Sequence, residues 1–304
     1  MRAYGSNARV RIAILSRNIK LYSTSRLVEA GRARGHIVDV IDPIKCVLAI
    51  SRQSHRMLFQ GEEVTGVDVV IPRIGASITD YGLAVLGHFE RHGVPICNSA
   101  LSISRSRDKL RALQLLSAHD VGIPRTAMAR DARAVRDAVD AVGGTPVIIK
   151  LLQGTQGVGV MIADSKQAVE SMLDTLWGLG QNIILQEFIA ESKGRDIRVL
   201  VVGGEVVAAM QRTAREGEFR SNLHRGGAGK RIELPAAYRT VALTATRAMG
   251  LEVAGVDMLE SNHGPRVIEV NSSPGLRGIE RASGVDVAQR VIAHCERLHR
   301  ERAT

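Results

Sequence analysis

Aromatic residues are scarce in this 304-residue sequence: four Phe, four Tyr and one Trp, 3% of the chain. Proteins that grip exposed single strands of nucleic acid generally stack bases on such rings, so that class is disfavoured. Cysteine is rarer still. Cys46, Cys97 and Cys295 stand far apart with no CxxC pair, which argues against a disulfide framework or a zinc ribbon and suits a reducing compartment. No apolar run approaches the roughly 20 residues of a membrane span. The basic start MRAYGSNARVR is followed by only IAIL before Ser16 and Arg17, too little for the apolar core of a signal peptide. The expectation is a soluble cytoplasmic protein without a membrane partner, residues 1–9 being a flexible extension. Acidic residues are also in deficit, 31 against 41 Lys and Arg, giving a formal charge of +10. Such a field draws in anions: nucleic acid, nucleotide, an acidic peptide or an anionic membrane surface.

What is present in normal measure is core-forming material. Hydrophobic residues make up 45% and charged residues 24%, which excludes wholesale disorder and coiled coil and leaves room for about two domains. The spacing predicts strands at Val10–Ser16, His36–Asp42, Val67–Pro72 and Pro95–Asn98, helices at Thr24–Arg34 and Asp80–His92, and a small hairpin over Arg56–Val64 turning at Gln60-Gly61. This alternation suggests an open α/β domain. From Arg107 the texture changes. An amphipathic helix is expected at Asp108–His119, then two strand–helix–strand units: Arg125–Ala129, a helix near Ala132–Val142 and Pro146–Leu152, followed by Val160–Ala163, a helix near Lys166–Gly178 and Asn182–Ile189. Two hairpins follow, Ile197–Val202 with Val206–Thr213 through Gly203-Gly204, and Val253–Glu260 with Arg266–Asn271 through Asn262-His263-Gly264. Between them lie a mobile-looking Arg- and Gly-rich loop at 214–231 and a helix near Ala236–Met249; Val285–Arg302 reads as a terminal amphipathic helix.

Four clusters carry chemistry. Gly154-Thr155-Gln156-Gly157-Val158-Gly159 leaves main-chain N–H groups free to wrap phosphate oxygens, and Lys150 sets a cation beside it. The spacing is neither a dinucleotide fingerprint nor a P-loop, and an ordinary hairpin turn competes with the phosphate reading. The second cluster is Asp257, Glu269 and Asn271. Glu269 and Asn271 share a strand face, and a hairpin centred on His263 sets residue 257 opposite 269. Oxygen ligands of this kind suit magnesium or manganese; a salt bridge to an arginine is the alternative. The third is Gln186-Glu187-Phe188-Ile189 with Asp196 and Arg198, able to hold a purine, a ribose and a phosphate, or else to form surface ion pairs. The fourth, Arg212, Arg215, Arg220, Asn222, His224 and Arg225, is a basic loop that solvent alone would also satisfy.

Taken in order, Arg107-Asp108-Lys109, Val147–Lys150 with Gly154–Gly159, Gln186–Ile189, Asp196-Ile197-Arg198, Gly255-Val256-Asp257 and Glu269–Gly275 resemble the ATP-grasp fold. With Ile14–Arg17, Ile71–Gly75 and Gly217–Gly227, the sequence is similar to the ribosomal-protein glutamate ligases of the RimK type from about Val10 to His294. The resemblance implies a mixed α/β fold with an N-terminal open pre-grasp domain at 10–106 and an ATP-grasp domain at 107–304, its small lobe at 107–189 and its large lobe at 190–304.

It further implies ATP-dependent ligation of a carboxylate to an amine through an acyl phosphate. Lys109 and Lys150 would hold the nucleotide phosphates, and the loop with Gly154, Thr155, Gln156, Gly157 and Gly159 would close over them. Glu187, Phe188 and Ile189 would bind adenine, Asp196 the ribose, and Arg220, Ser221 and Asn222 further parts of the nucleotide. Asp257, Glu269 and Asn271 would hold Mg2+ or Mn2+, two ions being expected, and Arg198 would act on the transferring phosphoryl group. Phe188 stands where tyrosine also occurs in the family, keeping the ring face without the hydroxyl. The implied substrates are L-glutamate and the acidic C-terminal tail of the sixth small-subunit ribosomal protein. Arg17, Arg73, Arg212, Arg215 and Arg225 are candidates for the groove that takes the tail. A homo-oligomer is expected, and sequence-specific nucleic-acid binding is not. A ligase acting on a small carrier or cofactor, and a basic ribosome- or RNA-binding protein with a vestigial nucleotide site, are the competing readings.

Overall fold

The apolar run after Arg9 forms a strand buried on both faces, and the chain winds outward from it. In the computed structural model, which describes residues 9–152, 159–221 and 226–303, β1 (Arg11–Leu15), α1 (Tyr22–Ala33) and β2 (Ile37–Ile41) make a βαβ unit. Then β3 (Cys46–Ile50), β4 (His55–Phe59) and β5 (Glu62–Glu63) build a small antiparallel sheet, before β6 (Val69–Pro72), α2 (Thr79–Arg91) and α3 (Ala100–Arg107). The main sheet is parallel, in the order β2-β1-β6. Gln60 and Gly61, at φ 55° and 86°, turn β4 into β5 as the hairpin signal anticipates. Pro95–Asn98, expected as a strand, contributes a single bridge from Ile96 to Val70. The Asn98 side chain is drawn off instead: its Nδ2 donates to the carbonyls of Val253 and Ser272, and its Oδ1 accepts from the N–H groups of Glu252 and Val253.

A second, four-stranded sheet follows. α4 (Lys109–Ala118) starts where Asp108 caps it by accepting from the Arg111 N–H. β7 (Thr126–Ala127), α5 (Val135–Ala141), β8 (Val147–Leu151), β9 (Val160–Ala163), α6 (Lys166–Gly178) and β10 (Ile183–Glu187) pair antiparallel in the order β7-β10-β8-β9, with α5 and α6 packed on one face. The third sheet comprises β11 (Arg195–Val202), β12 (Glu205–Thr213) and β13 (Ala228–Arg231), then, after α7 (Ala236–Met249), β14 (Val253–Leu259) and β15 (Arg266–Asn271). Its antiparallel order is β13-β12-β11-β14-β15. The segment expected as one loop at 214–231 thus ends in a strand, because Ala228–Arg231 finds the free edge of β12. Helices α8 (Leu276–Ser283) and α9 (Val287–Ala303) complete the chain.

Two apolar layers sandwich this third sheet. α4 and α7 cover one face through Leu116, Ala242, Ala245 and Met249. On the other face α8 and α9 fill the gap to the parallel sheet, where Ile12 and Ile14 meet Ile279, Ile292 and Cys295. The parallel sheet and the third sheet are thereby held by shared helices and by the buried Asn98 tie. Among the described residues no helix is long and apolar enough to cross a membrane.

Candidate active site

One face of the third sheet gathers the charged residues that the alternation of strand side chains sends the same way. Register sets Arg198 on β11 opposite Asp257 on β14, Asp196 opposite Arg212 on β12, and Asp257 opposite Glu269 on β15. A bulge between Asp257 and Met258 is what brings 257 to 269, since Met258 pairs with Val267. Arg198 grips Asp257 with two prongs, Nε to Oδ1 at 2.6 Å and Nη2 to Oδ2 at 2.5 Å. Arg212 does the same to Asp196 and reaches Asp257 Oδ2 at 3.0 Å. Ser221 adds a hydroxyl donor to Asp196 Oδ2 at 2.6 Å. Burial alone would raise the Asp257 carboxyl, but the Arg198 and Arg212 charges overcome it and hold it below the ordinary range.

Beside this buried network the charges are arranged differently. Glu269 is exposed, and Arg107, Lys109 and Lys150 all feel its charge. Lys150, at the end of β8, donates to Gln186 Oε1 at 2.5 Å, and Gln186 donates in turn to Thr126 Oγ1. Burial pushes the Lys150 ammonium down to about 8, and nearby Lys109 adds to the shift. Lys109 is lowered chiefly by burial, and its Nζ donates to the Leu152 carbonyl at 2.8 Å. Lys150 of the second sheet and Lys109 at the start of α4 therefore present desolvated cations to the acidic edge of the third sheet.

The remaining expected residues are distributed around this centre. Glu187, at the end of β10, accepts from the Arg125 N–H and Nη2, which holds it below the ordinary carboxylate range. Phe188 and Ile189 follow it into the crossing to β11, Ile189 being buried. Arg220 pairs with Glu218 and lies over the Phe219 ring. Gly159, at φ 75°, has no room for a Cβ beside Leu151, whose N–H bonds the Gly159 carbonyl. Arg17 and Arg73 stand at the carboxyl ends of the neighbouring strands β1 and β6. Burial, then Arg107, lowers the Arg73 guanidinium to about 10. Arg215 is exposed and donates to the Gly226 carbonyl.

Arg212 departs from expectation. At 2% exposure and with two carboxylates on it, it belongs to the sheet's internal charge network. Its membership of β12, opposite Asp196, is the reason. Gly154, Thr155, Gln156, Gly157, Asn222, His224 and Arg225 lie outside the described residues. Arg107, Gln186 and Arg125 were given no role from the sequence, although Arg107 and Gln186 sit inside the motifs quoted for it.

The donor set at Asp257, Glu269 and Asn271 suits a hard divalent cation. It offers two carboxylates and an amide, and Asn271 Nδ2 lies 3.5 Å from Asp257 Oδ2. Asp257 Oδ1 accepts one guanidinium bond and keeps a second lone pair. Among the described residues no group of three His, Cys, Asp or Glu side chains gathers for a metal, so Asn271 is needed to complete the set.

Fold and site together define an ATP-grasp protein, and the comparisons sharpen this. Residues 106–295 match the RimK-like ATP-grasp domain and residues 10–103 the RimK pre-ATP-grasp domain, so the chain belongs to the RimK-like ATP-grasp family. It is 54% identical to a probable alpha-L-glutamate ligase of Thioalkalivibrio sulfidiphilus over 97% of this chain and 98% of that one. It is 53% identical to probable alpha-L-glutamate ligase 1 of Shewanella frigidimarina, covering 94% and 95%. Among solved structures it is similar in fold to the ATP-grasp ligase PsnB complexed with minimal precursor, Mg and ADP. The TM-score there is 0.74 at 21% identity, over 95% of this chain and 98% of that one.

Proposed function

We propose that this protein is an ATP-dependent carboxylate–amine ligase that adds L-glutamate to the C-terminus of an acidic protein tail. The observation that carries the proposal is the convergence of Arg107, Lys109 and Lys150 on Glu269, beside the Arg198–Asp257 pair. Bringing a nucleotide triphosphate to a carboxylate crowds like charges together, and pre-placed cations in a desolvated cleft offset that repulsion. The names of the relatives support glutamate as the incoming amino acid.

In this mechanism Lys109 and Lys150 hold the phosphates, and the Gly154–Gly159 segment covers them. Glu187, Phe188 and Ile189 take the adenine; Asp196, Arg220, Ser221 and Asn222 take the rest of the nucleoside. Asp257, Glu269 and Asn271 would hold magnesium or manganese, which supplies charge neutralisation at the phosphate oxygens. An oxygen of the acceptor carboxylate attacks the γ-phosphorus, the bond to ADP breaks, and an acyl phosphate forms with Arg198 beside it. The glutamate nitrogen then attacks the acyl carbon. The amide bond forms, phosphate leaves with the bonding electron pair, and the amine proton passes to solvent. No covalent bond to the enzyme is needed. The pre-grasp domain would comprise residues 10–106, and the ATP-grasp lobes 107–189 and 190–304. The acceptor we favour is the tail of the sixth small-subunit ribosomal protein, whose acidity suits a +10 enzyme.

Intact-protein mass spectrometry tests this directly. Incubation with ATP, magnesium, glutamate and small-subunit ribosomal proteins should give a ladder of glutamyl additions on one of them. Glutamate-dependent ADP release without a ladder would move the acceptor to a small molecule or another protein. Silence in both would overturn the ligase.

A further inference from the structure

The acceptor has to reach the ligation centre with its C-terminal carboxylate first, and the parallel sheet has one edge that suits such a delivery. Among the described residues β2 pairs with β1 alone, which leaves its outer side open to a further strand. The bonds from the Ile37 N–H to Val10 and from the Ser16 N–H to the Ile41 carbonyl show that 37, 39 and 41 face β1. Alternation then turns the main-chain N–H and C=O groups of Val38 and Val40 outward. Against this edge lies a cleft of about 350 Å³, lined by Val38, Asp39, Val40, Arg17, Arg32 and Lys45 among others.

The charge of that cleft is selective. Arg17, Arg32 and Lys45 are exposed, and none has an ion-pair partner among the described residues. Of the two acids lining it, Asp39 is already met by Arg11 Nε at 2.8 Å, and Asp42 Oδ1 accepts from the Ile44 N–H. The cations also form a path. Arg17 stands at the carboxyl end of β1 and Arg73 at that of β6; Arg73 feels the charge of Arg107, and Arg107 that of Glu269.

We infer that β2 is a strand-pairing track for the acidic acceptor: an extended peptide adds parallel to β2 at Val38 and Val40, its carboxylates meet Arg32 and Lys45, and its C-terminus emerges at Arg17 and Arg73. This rests on the ligase reading above. Parallel polarity is what the direction of β2 requires, since its carboxyl end lies on the side of Arg17. Main-chain pairing supplies grip that tolerates different side chains, and the cations select acidic ones. Because pairing repeats every second residue, a tail lengthened by two glutamates regains the same bonds after sliding back along such a track and presents a new terminus.

The test uses the full-length enzyme and a fluorescein-labelled hexaglutamyl peptide with a free C-terminus. Anisotropy without ATP gives its Kd, and ADP release with glutamate gives KM for peptide, for ATP and for glutamate. Two variants address the track. Arg32→Glu/Lys45→Glu reverses the charge, and Val40→Pro removes an outward N–H that β1 does not use, a change an edge strand accommodates. Each should raise peptide Kd and KM about tenfold or more, the scale of losing one or two charge-assisted or main-chain bonds, with KM for ATP unchanged. Peptide KM within twofold of wild type in the charge-reversed enzyme, with turnover intact, would overturn the track and leave the ligase standing. Peptide binding lost in the variants, but no glutamate-dependent ADP release by the wild type, would keep the track and overturn the ligase. No binding by the wild type would overturn the track outright.

Discussion

The second and third sheets treat charge in opposite ways. In the third, Asp196, Arg198, Arg212 and Asp257 are linked by fork-shaped bonds, so the buried charges neutralise one another within the sheet. In the second, Lys150 is half-buried against a neutral amide, and burial weakens its hold on its proton. A network whose charges are already paired gives a rigid floor that holds its groups in fixed positions. A desolvated ammonium left with Gln186 gains most when an anion arrives. The difference teaches that, on the proposed reading, binding energy for phosphate would come from Lys150 and positional accuracy from the third sheet.

Substitution at Asp257 should break the comparison most severely. Asp257→Ala leaves two guanidinium groups without their shared carboxylate, and losing one side of a buried pair costs about 3–5 kcal/mol. Urea denaturation should show that loss, together with loss of turnover. Its strand partner offers the contrast. Glu269→Gln should abolish ligation, yet unfolding free energy should shift by only about 0.5 kcal/mol because the side chain is exposed. Equal stability losses in both variants would erase the distinction between floor and edge.

Lys150 sharpens the other half. Lys150→Met should raise KM for ATP about tenfold or more, in line with one lost charge-assisted bond, while leaving the fold intact. The wild-type lysine, at about 8, sits below its ordinary value. Between pH 8 and the ordinary lysine range the unfolded chain therefore binds more protons than the folded one. Through this group, stability of the nucleotide-free protein rises with pH across that window. Phosphate binding should restore the proton, so calorimetry at pH 8.5 in buffers of different ionisation enthalpy should record proton uptake, absent in Lys150→Met. The smallest effect is expected at Arg125, an exposed partner of Glu187. Arg125→Ala should leave Tm unchanged within a degree and shift KM for ATP no more than twofold, read by thermal melts and steady-state kinetics.

Much of this organisation was legible in the sequence, for identifiable reasons. The Asp257–Glu269 pairing could be counted because both strands belong to one hairpin, although the count succeeds only with the bulge at Met258. The Arg198–Asp257 pair could not be counted. β11 and β14 are far apart in sequence, and nothing local sets their register. The burial of Arg212 could not be counted either: it adjoins an arginine-rich stretch, and its place depends on the cross-strand neighbour Asp196. Cys46–Ile50, Ala100–Arg107 and Leu276–Ser283 went unassigned because short elements take their structure from what they pack against. Gln186 carried a motif whose purpose emerged only when antiparallel pairing set β10 beside Lys150.

The closing helix has a consequence for how the chain is made. α9 lies against α1 and the first parallel strands: Glu296 receives Arg34 and His36, and Ile292 and Cys295 share a core with Ile12 and Ile14. Residues some 260 positions apart in sequence thus seal one another. During synthesis the earliest sheet must wait with one apolar face uncovered until Val287–Ala303 has emerged. Sequential, domain-by-domain maturation is unavailable to this face, and a polypeptide halted before residue 287 would expose it to aggregation.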